Sequence, residues 1–266
     1  MTELAEHVAA IGRPLKRKED ARLLTGKTQW TDNIQLAGAL HMAILRSPMG
    51  HAKITKLDVS GALKYPGVEA AYGADELGDL NASVPCVWPV TDDMVAPDFP
   101  ALAKGEVRHM GDCVALVLAG TAAQAADALE GIVVEYSALP AVIDMDEAIK
   151  DGSPLVHSDK GTNKCYTYKL QPQGDGAYEA AKAKADVVVK RRFVNQRLIP
   201  AFMEPRAVVA SPMGTSGELT IWSATQVPHV LRVLLALVTG VSENKLRVVA
   251  PDVGGGFGGK LQCYRE

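Results

Sequence analysis

The residues with the clearest chemical potential form a glycine-rich loop, Gly254-Gly255-Gly256-Phe257-Gly258-Gly259-Lys260. Residues without a Cβ allow backbone N–H groups to converge on an anion and allow a ligand to approach the main chain. A flexible linker is the alternative, but such linkers are usually diluted with Ser and other polar residues. The loop is therefore interpreted as a cradle for a phosphate-bearing or oxo-bearing group.

The elements before the loop predict how it is positioned. A strand over 219–225 is followed by Gln226, an apolar-faced helix begins at Pro228 and ends at Gly240, and a second strand covers 245–250. In a parallel β-α-β unit with a right-handed crossover, Gln226 and the loop both follow the carboxyl ends of their strands. The amide of Gln226 can donate and accept hydrogen bonds, so it is a candidate ligand-binding group. A plain polar strand cap is the alternative.

Two nucleotide-binding patterns fit the loop only in part. Gly254, Gly259 and Lys260 match G-x-x-x-x-G-K, but Leu261 stands where a P-loop needs Ser or Thr to hold Mg²⁺. Gly254, Gly256 and Gly259 also match G-x-G-x-x-G, yet the acidic ribose partner expected about 20 residues later would fall after Glu266. Neither pattern by itself establishes a nucleotide site.

Composition excludes several classes of protein. A formal net charge of −3 gives no electrostatic basis for binding nucleic acid. No apolar run reaches about 18 residues, so no membrane span is predicted, and the opening residues Met1 to His7 lack the features of a signal peptide. A cytoplasmic location is expected. The four cysteines are widely spaced, which excludes a zinc ribbon or an iron–sulfur cluster and implies that any electrons leave through another chain.

The length of 266 residues predicts two domains. Strands over 40–45 and 52–58 are expected to form a hairpin, and 113–136 is expected to form a βαβ unit whose helix begins at a Thr121/Gln124 capping box. The stretch 137–175 is punctuated by Pro and Gly, as connectors between domains are. A helix over 177–185 and a strand over 187–194 should follow it.

At this point the residues resemble a known family. The glycine loop with its preceding residues is similar to the molybdopterin-binding loop of the xanthine oxidase family of molybdenum hydroxylases. Further motifs resemble its large subunit in the same order, with the bacterial aldehyde, carbon monoxide and aromatic-heterocycle dehydrogenases nearest. They are Arg17-Lys18-Glu19-Asp20 with Thr25-Gly26, Arg46-Ser47-Pro48 with His51-Ala52, Met203-Glu204-Pro205-Arg206, and Trp222 to His229.

The resemblance implies the fold and its division. The fold class is α/β (α+β), with an α/β hammerhead domain followed by the first part of a molybdopterin-binding domain. Residues 1–140 would be the hammerhead domain with an N-terminal extension, 141–175 a connector, and 176–266 the N-terminal part of the molybdopterin-binding domain.

The resemblance also implies site residues and cofactors. Gln226 corresponds to the glutamine that hydrogen-bonds to an oxygen ligand on molybdenum, and Gly255, Gly256, Phe257 and Gly258 correspond to the loop beside the metal and the pterin. The pterin dithiolene binds the metal, so no protein metal ligand is expected. The implied cofactor is molybdopterin, in its cytosine dinucleotide form, with iron–sulfur clusters and FAD on partner chains.

Other positions limit what the chain can do alone. Leu261 replaces the glutamate that holds purine in xanthine-type enzymes, so purine hydroxylation is not expected. The family's catalytic glutamate base has no counterpart here, and no catalytic residue is assigned; a further chain would supply the rest of the large subunit. Glu204 and Arg206 are expected to form a structural ion pair, with a direct catalytic role as an acid and its partner as the alternative, and Arg46, Ser47 and His51 are expected to support the fold. The alternative function is a non-catalytic scaffold that binds only partner subunits or cofactor.

Overall fold

A computed structural model describes residues 11–86, 89–170 and 174–266, so the opening Met1 to His7 and part of the expected connector, Gln171 to Gln173, lie outside the description. Helices and strands alternate irregularly along the chain. The helices are Asp20–Leu24 (α1), Ala74–Leu77 (α2), Ala122–Ala128 (α3), Met145–Ala148 (α4), Ala177–Ala183 (α5) and Pro228–Thr239 (α6). The strands are His41–Arg46 (β1), Ala52–Asp58 (β2), Val68–Tyr72 (β3), Glu106–Val107 (β4), Cys113–Ala119 (β5), Val133–Ala138 (β6), Val208–Met213 (β7), Glu218–Ser223 (β8) and Leu246–Val249 (β9).

The core of the N-terminal half is built around β5, whose side chains are almost all buried. Such a strand needs a neighbour on each edge and cover on both faces. It pairs antiparallel with β1 on one side and with β3 on the other, while a second antiparallel sheet has the order β4-β2-β6. Cys113 is buried at the start of β5, as expected of a small core hydrophobe.

The predicted hairpin of β1 and β2 is wrong, because the two strands belong to different sheets. Ser47 N donates to Asp112 O and Gly111 N donates to Ser47 O, both at 2.8 Å, and these bonds hold the chain where it passes from one sheet to the other. β1 instead pairs with the buried strand β5 along its whole length. A longer-range pairing therefore replaces the local one.

The segment 113–136 forms the predicted strand, helix and strand, but not a parallel βαβ unit. β5 and β6 lie in separate sheets, and β6 pairs antiparallel with β2. The helix α3 does begin as predicted, with the Thr121 side chain accepting a hydrogen bond from Gln124 N. Its small residues Ala125 and Ala128 are buried, so the helix packs closely on β1 and β5.

The C-terminal half has the predicted β-α-β arrangement. β8 pairs antiparallel with β7 and parallel with β9, and α6 connects β8 to β9. Pro228 is the first residue of α6, and Gly240 ends it in the left-handed conformation, where a residue without a Cβ is favoured. Leu231 and Leu234 are buried on the sheet side. Within the described ranges no helix is long and apolar enough to cross a membrane.

The predicted strand over 187–194 is not formed. The described residues from 187 to 203 adopt no regular structure and make no backbone hydrogen bond to the rest of the described chain. The apolar side chains from 187 to 199 are exposed, Phe193 at 89% and Ile199 at 93%. The residue types favour a strand, but a strand requires a pairing partner, and no described strand pairs with this segment.

Glu266 connects the two halves through its carboxylate. It accepts hydrogen bonds from Arg46 of β1 at 2.8 Å and from Arg206, just before β7, at 3.2 Å. Burial acts to raise the pKa of Glu266, but a backbone hydrogen bond and the two guanidinium groups outweigh it and lower the pKa. A second contact lies nearer the glycine loop, where Asp252 pairs with Arg22 and accepts from Gln29 N.

Substituting Gly61 should test the close approach of two turns in the N-terminal half. A Cβ on Gly61 would lie 2.1 Å from the carbonyl oxygen of Gly131, so backbone must shift. We expect Gly61→Ala to lower the free energy of unfolding by about 1–3 kcal/mol, measured by urea denaturation. Gly50→Ala is the control, because its Cβ would meet only Ala141 Cβ at 3.7 Å. Equal midpoints for the two variants would contradict the packing described.

Candidate functional site

The glycine loop follows β9 directly, at the carboxyl edge of the third sheet. Gly255 and Gly258 have φ values of 92° and 81°, which glycine adopts at little cost. Phe257 has φ 47°, and it is the one non-glycine residue of the described chain with positive φ. Its side chain is 78% exposed, so packing does not compensate the strain. A strained, exposed aromatic residue beside a bare backbone is typical of a binding site.

Gln226 lies against the loop, as the parallel arrangement predicts. Its Oε1 accepts hydrogen bonds from Gly258 N at 3.1 Å and from Lys260 N at 3.3 Å. Both partners are donors, so the amide orientation follows from chemistry: the oxygen faces the loop and Nε2 is left as a donor. Gln226 is exposed, and its Nε2 makes no hydrogen bond within the described residues. The side chain both braces the loop and offers a donor at its surface.

Gly256 is the loop position where a side chain is excluded most directly by Gln226. A Cβ there would lie 2.4 Å from Gln226 Oε1 and 2.5 Å from its amide carbon. A residue larger than glycine would push the amide away from the loop. The sequence of the loop and the position of Gln226 are therefore coupled.

Glu204 and Lys260 form an ion pair beneath the loop. Lys260 Nζ donates to Glu204 Oε2 at 2.9 Å, and the Lys260 side chain has no solvent exposure. The same carboxylate oxygen accepts from Gly254 N at 2.8 Å. A fully buried ammonium group requires such a partner.

This pairing corrects two interpretations of the sequence. The expected ion pair between Glu204 and Arg206 is not formed; Arg206 instead bonds to Glu266 and stacks on Tyr264 at 3.9 Å from the ring centre. Residues two apart in a straight extended segment point to the same side, but the chain bends at Met203 and Glu204, so Glu204 and Arg206 reach different partners. The P-loop interpretation also loses support, because the Lys260 ammonium is turned inward and not toward a phosphate site.

The residues of the Arg46-Ser47-Pro48 motif serve the fold, as expected. Arg46 bonds to Gly111 O and to Glu266, and Ser47 is buried at the crossing between the two sheets. His51 is buried between Pro140 O at 2.8 Å and a Glu106 carboxylate oxygen at 2.6 Å. None of the three contacts the glycine loop. Across the described ranges, no three His, Cys, Asp or Glu side chains are grouped in a way that could hold a metal ion.

Two family models match successive parts of the chain. Residues 25–140 match the aldehyde oxidase and xanthine dehydrogenase a/b hammerhead domain, and residues 156–266 match the molybdopterin cofactor-binding domain. The second match includes β7, β8, β9, Gln226 and the glycine loop. The fold and the site thus define an α/β hammerhead domain followed by part of a molybdopterin-binding domain.

Known proteins resemble almost the whole chain. The carbon monoxide dehydrogenase large chain of Hydrogenophaga pseudoflava is 36% identical over 93% of this chain and 31% of its own length. The nicotine 6-hydroxylase large subunit of Paenarthrobacter nicotinovorans is 33% identical over 96% of this chain and 31% of its own. This chain therefore spans about a third of the length of these curated relatives.

Solved structures agree with this assignment. Reconstituted carbon monoxide dehydrogenase from Oligotropha carboxidovorans superposes with a TM-score of 0.85 at 34% identity, covering 98% of this chain and 33% of that one. Quinoline 2-oxidoreductase from Pseudomonas putida 86 gives 0.81 at 34% identity, covering 93% and 31%. The chain belongs to the xanthine oxidase family of molybdenum hydroxylases and corresponds to the first part of the large subunit.

Substituting Phe257 should separate backbone strain from side-chain packing. Asn adopts the left-handed region more readily than Phe, and the exposed ring contributes little burial. We expect Phe257→Asn to raise the free energy of unfolding by about 1 kcal/mol, measured by urea denaturation. Phe257→Ala is the control, because it removes the ring and keeps a residue disfavoured at this φ. An Asn variant that unfolds at a lower urea concentration than the Ala variant would refute the strain.

Proposed function

We propose that this chain forms one side of the molybdenum-cofactor site in a molybdenum hydroxylase that oxidises a small molecule with water as the oxygen source. Gln226, Gly255, Gly256, Phe257 and Gly258 are the proposed cofactor contacts. The observation that carries the proposal is the orientation of the Gln226 amide. Its oxygen is occupied by two loop N–H groups, so an exposed Nε2 donor remains beside a backbone without side chains.

The residues present fit a metal–pterin group with oxygen ligands. Gly256 has no room for a side chain because a Cβ there would lie 2.4 Å from Gln226 Oε1, whereas no atom of the described chain lies within 4 Å of a Cβ built on Gly258, so the main chain can be approached there. When bound, molybdenum supplies the two-electron oxidation and the pterin supplies its sulfur ligands. The chain's own residues contribute a hydrogen-bond donor at Gln226 Nε2, main-chain contact along 255–258, and an aromatic ring at Phe257 that excludes water.

Several finer assignments belong to the same proposal. The cofactor is the cytosine dinucleotide form, and iron–sulfur and FAD subunits accept the electrons; the names of relatives, which describe large chains and subunits, support a multi-subunit assembly. The substrate is an aldehyde, carbon monoxide or an aromatic heterocycle, and Leu261 disfavours purine. The location is the cytoplasm. The proposed division is a hammerhead domain over residues 1–140, a connector over 141–175 and the molybdopterin-binding part over 176–266.

A further partner supplies the rest of the large subunit. Two observations support this part of the proposal. The chain spans about a third of the length of its relatives, and the segment 187–199 exposes apolar side chains among basic ones and has no backbone hydrogen-bond partner in the described chain. Val189 and Phe193 belong to the β-branched and aromatic residue types that are enriched in strands. An extended segment of this kind adds to the edge of a sheet when a partner provides one.

Two substitutions of Gln226 should separate its two roles. Gln226→Glu keeps an oxygen that accepts from the loop but removes the Nε2 donor, whereas Gln226→Leu removes both. In the complex purified through this chain, we expect molybdenum content, measured by mass spectrometry of the metal, to fall about tenfold or more in both variants. Only Gln226→Leu should also lower the free energy of unfolding, by about 1–3 kcal/mol.

The exposed His229 of α6 provides the control, and His229→Gln should retain wild-type metal content and stability. A wild-type complex that contains neither molybdenum nor pterin would overturn the proposed function. Metal bound at wild-type levels by Gln226→Glu would overturn the role given to Nε2. Metal without turnover, in a complex that has all its subunits, would favour the scaffold function.

The segment 187–199 should be required for the remaining large-subunit chain to bind. Burying a Phe side chain stabilises a complex by about 1.5–3 kcal/mol, so Phe193→Ser should weaken that association roughly 10- to 100-fold, measured by co-purification at several concentrations. Ile143→Ser is the control, because Ile143 is equally exposed, at 91% against 89%, and lies outside the segment. Without its partner, the wild-type chain should self-associate on a sizing column; a monodisperse monomer would count against this interface.

A further inference from the structure

The most completely buried charge in the described chain is the ammonium group of Lys260. Its side chain has no solvent exposure, and Nζ lies 2.9 Å from Glu204 Oε2 and 4.8 Å from the ring centre of Phe202. Burying an ammonium and a carboxylate together is commonly no more stabilising than burying apolar residues of the same volume. Stability alone therefore gives a weak reason for an ion pair at this position.

The pair has a geometric consequence for the glycine loop. Glu204 Oε2 accepts from Gly254 N at 2.8 Å as well as from Lys260 Nζ, so one carboxylate oxygen joins the first and the last residue of the loop. A backbone bond from Glu204 N to Gly254 O, at 3.2 Å, reinforces the first of these contacts. The two ends of the loop are held together by a side chain from the segment before β7.

The backbone of Lys260 carries this constraint on to Gln226. Lys260 N donates to Gln226 Oε1 at 3.3 Å, and Lys260 O accepts from Gln226 N at 2.9 Å and from Thr225 Oγ1 at 3.3 Å. The position of the Gln226 amide thus depends on where Lys260 is held. Lys260 is held in turn by Glu204.

We infer that Glu204 and Lys260 are positioning residues for the molybdenum-cofactor loop. Glu204 closes the loop at Gly254, and Lys260 presents its backbone N–H so that the Gln226 oxygen faces the loop and the Nε2 donor faces outward. Neither residue is proposed to contact the cofactor itself. The inference rests on the proposed function for what the loop binds, but the closing of the loop is a property of this chain alone.

A set of variants separates positioning from stability. E204M and K260M each leave one buried charge without its partner, so both should lower the unfolding midpoint. E204M/K260M removes both charges and should recover most of that loss, because long apolar side chains fill the site. If the pair positions the loop, the double variant should nevertheless exchange the amide hydrogens of residues 254–260 about tenfold faster or more than wild type. Its molybdenum content in the purified complex should fall to a similar extent.

E204Q/K260M tests the same inference by conservative rescue. A glutamine oxygen can still accept from Gly254 N, and the absent ammonium leaves no charge unpaired. Exchange at Gly254 should therefore be slower than in E204M/K260M, which has no acceptor for Gly254 N. The exposed pair Arg232–Glu243, whose N–O distance is 3.4 Å, provides the control: R232M/E243Q should leave both the loop exchange and the metal content at wild-type values.

The outcomes are distinct. Wild-type exchange and wild-type metal content in E204M/K260M would overturn the inference and make the pair merely structural. If that variant does not fold, equal exchange at Gly254 in E204M and E204Q would overturn it, because both leave the Lys260 ammonium unpaired and only E204Q keeps an acceptor for Gly254 N. A wild-type complex without molybdenum would remove the proposed function, whereas the exchange of 254–260 would still decide whether Glu204 and Lys260 close the loop.

Discussion

The parallel pairing of β8 with β9 is the constraint on which the site depends. Parallel strands end at the same edge of a sheet, so the residues that follow them meet although a whole helix separates them in sequence. Gln226 follows β8 and the glycine loop follows β9, and hydrogen bonds of 3.1 and 3.3 Å join them. The buried residues Leu231 and Leu234 of α6 hold the crossover against the sheet. Without that packing, the Gln226 amide and the glycine loop would not be held side by side.

The loop itself is held by few groups, and each serves more than one purpose. One carboxylate oxygen of Glu204 receives both Gly254 N–H and the Lys260 ammonium, and one amide oxygen of Gln226 receives two backbone N–H groups. Within the loop, Phe257 and Gly258 are the exposed residues. Strain at Phe257 and a charge buried at Lys260 are both costs to stability, and both lie next to the proposed cofactor contacts. Their coincidence is expected where geometry matters more than stability.

Local patterns predicted the elements of this fold better than their pairing. The Thr121 N-cap, Pro at the start of α6 and Gly240 at its end act over a few residues, and each is observed, although the reciprocal bond of the predicted capping box is not. The predicted hairpin of β1 and β2 was wrong because β1 pairs with the buried strand β5, which is far away in the sequence. The predicted strand over 187–194 failed for a different reason: its residue types suit a sheet, but no described strand pairs with it. Of the candidate site, the sequence indicated Gln226 and the loop, yet the partner of Glu204 was misassigned to Arg206.

The sequence by itself determined the family, the fold class and the residues proposed to face the cofactor. Five motifs in a fixed order and the β-α-β pattern can each be recognised from residues that are close together in the sequence. Only the tertiary structure decided which groups support them. Glu204 and Lys260 are separated by 55 other residues, and no periodicity links them; their contact follows from how β7 and the loop pack beneath the sheet edge. Likewise the amide orientation of Gln226 is set by two N–H donors that converge only after folding. Burial and hydrogen-bond geometry are collective properties of the folded chain, and they place the Lys260 ammonium in an ion pair beneath the loop.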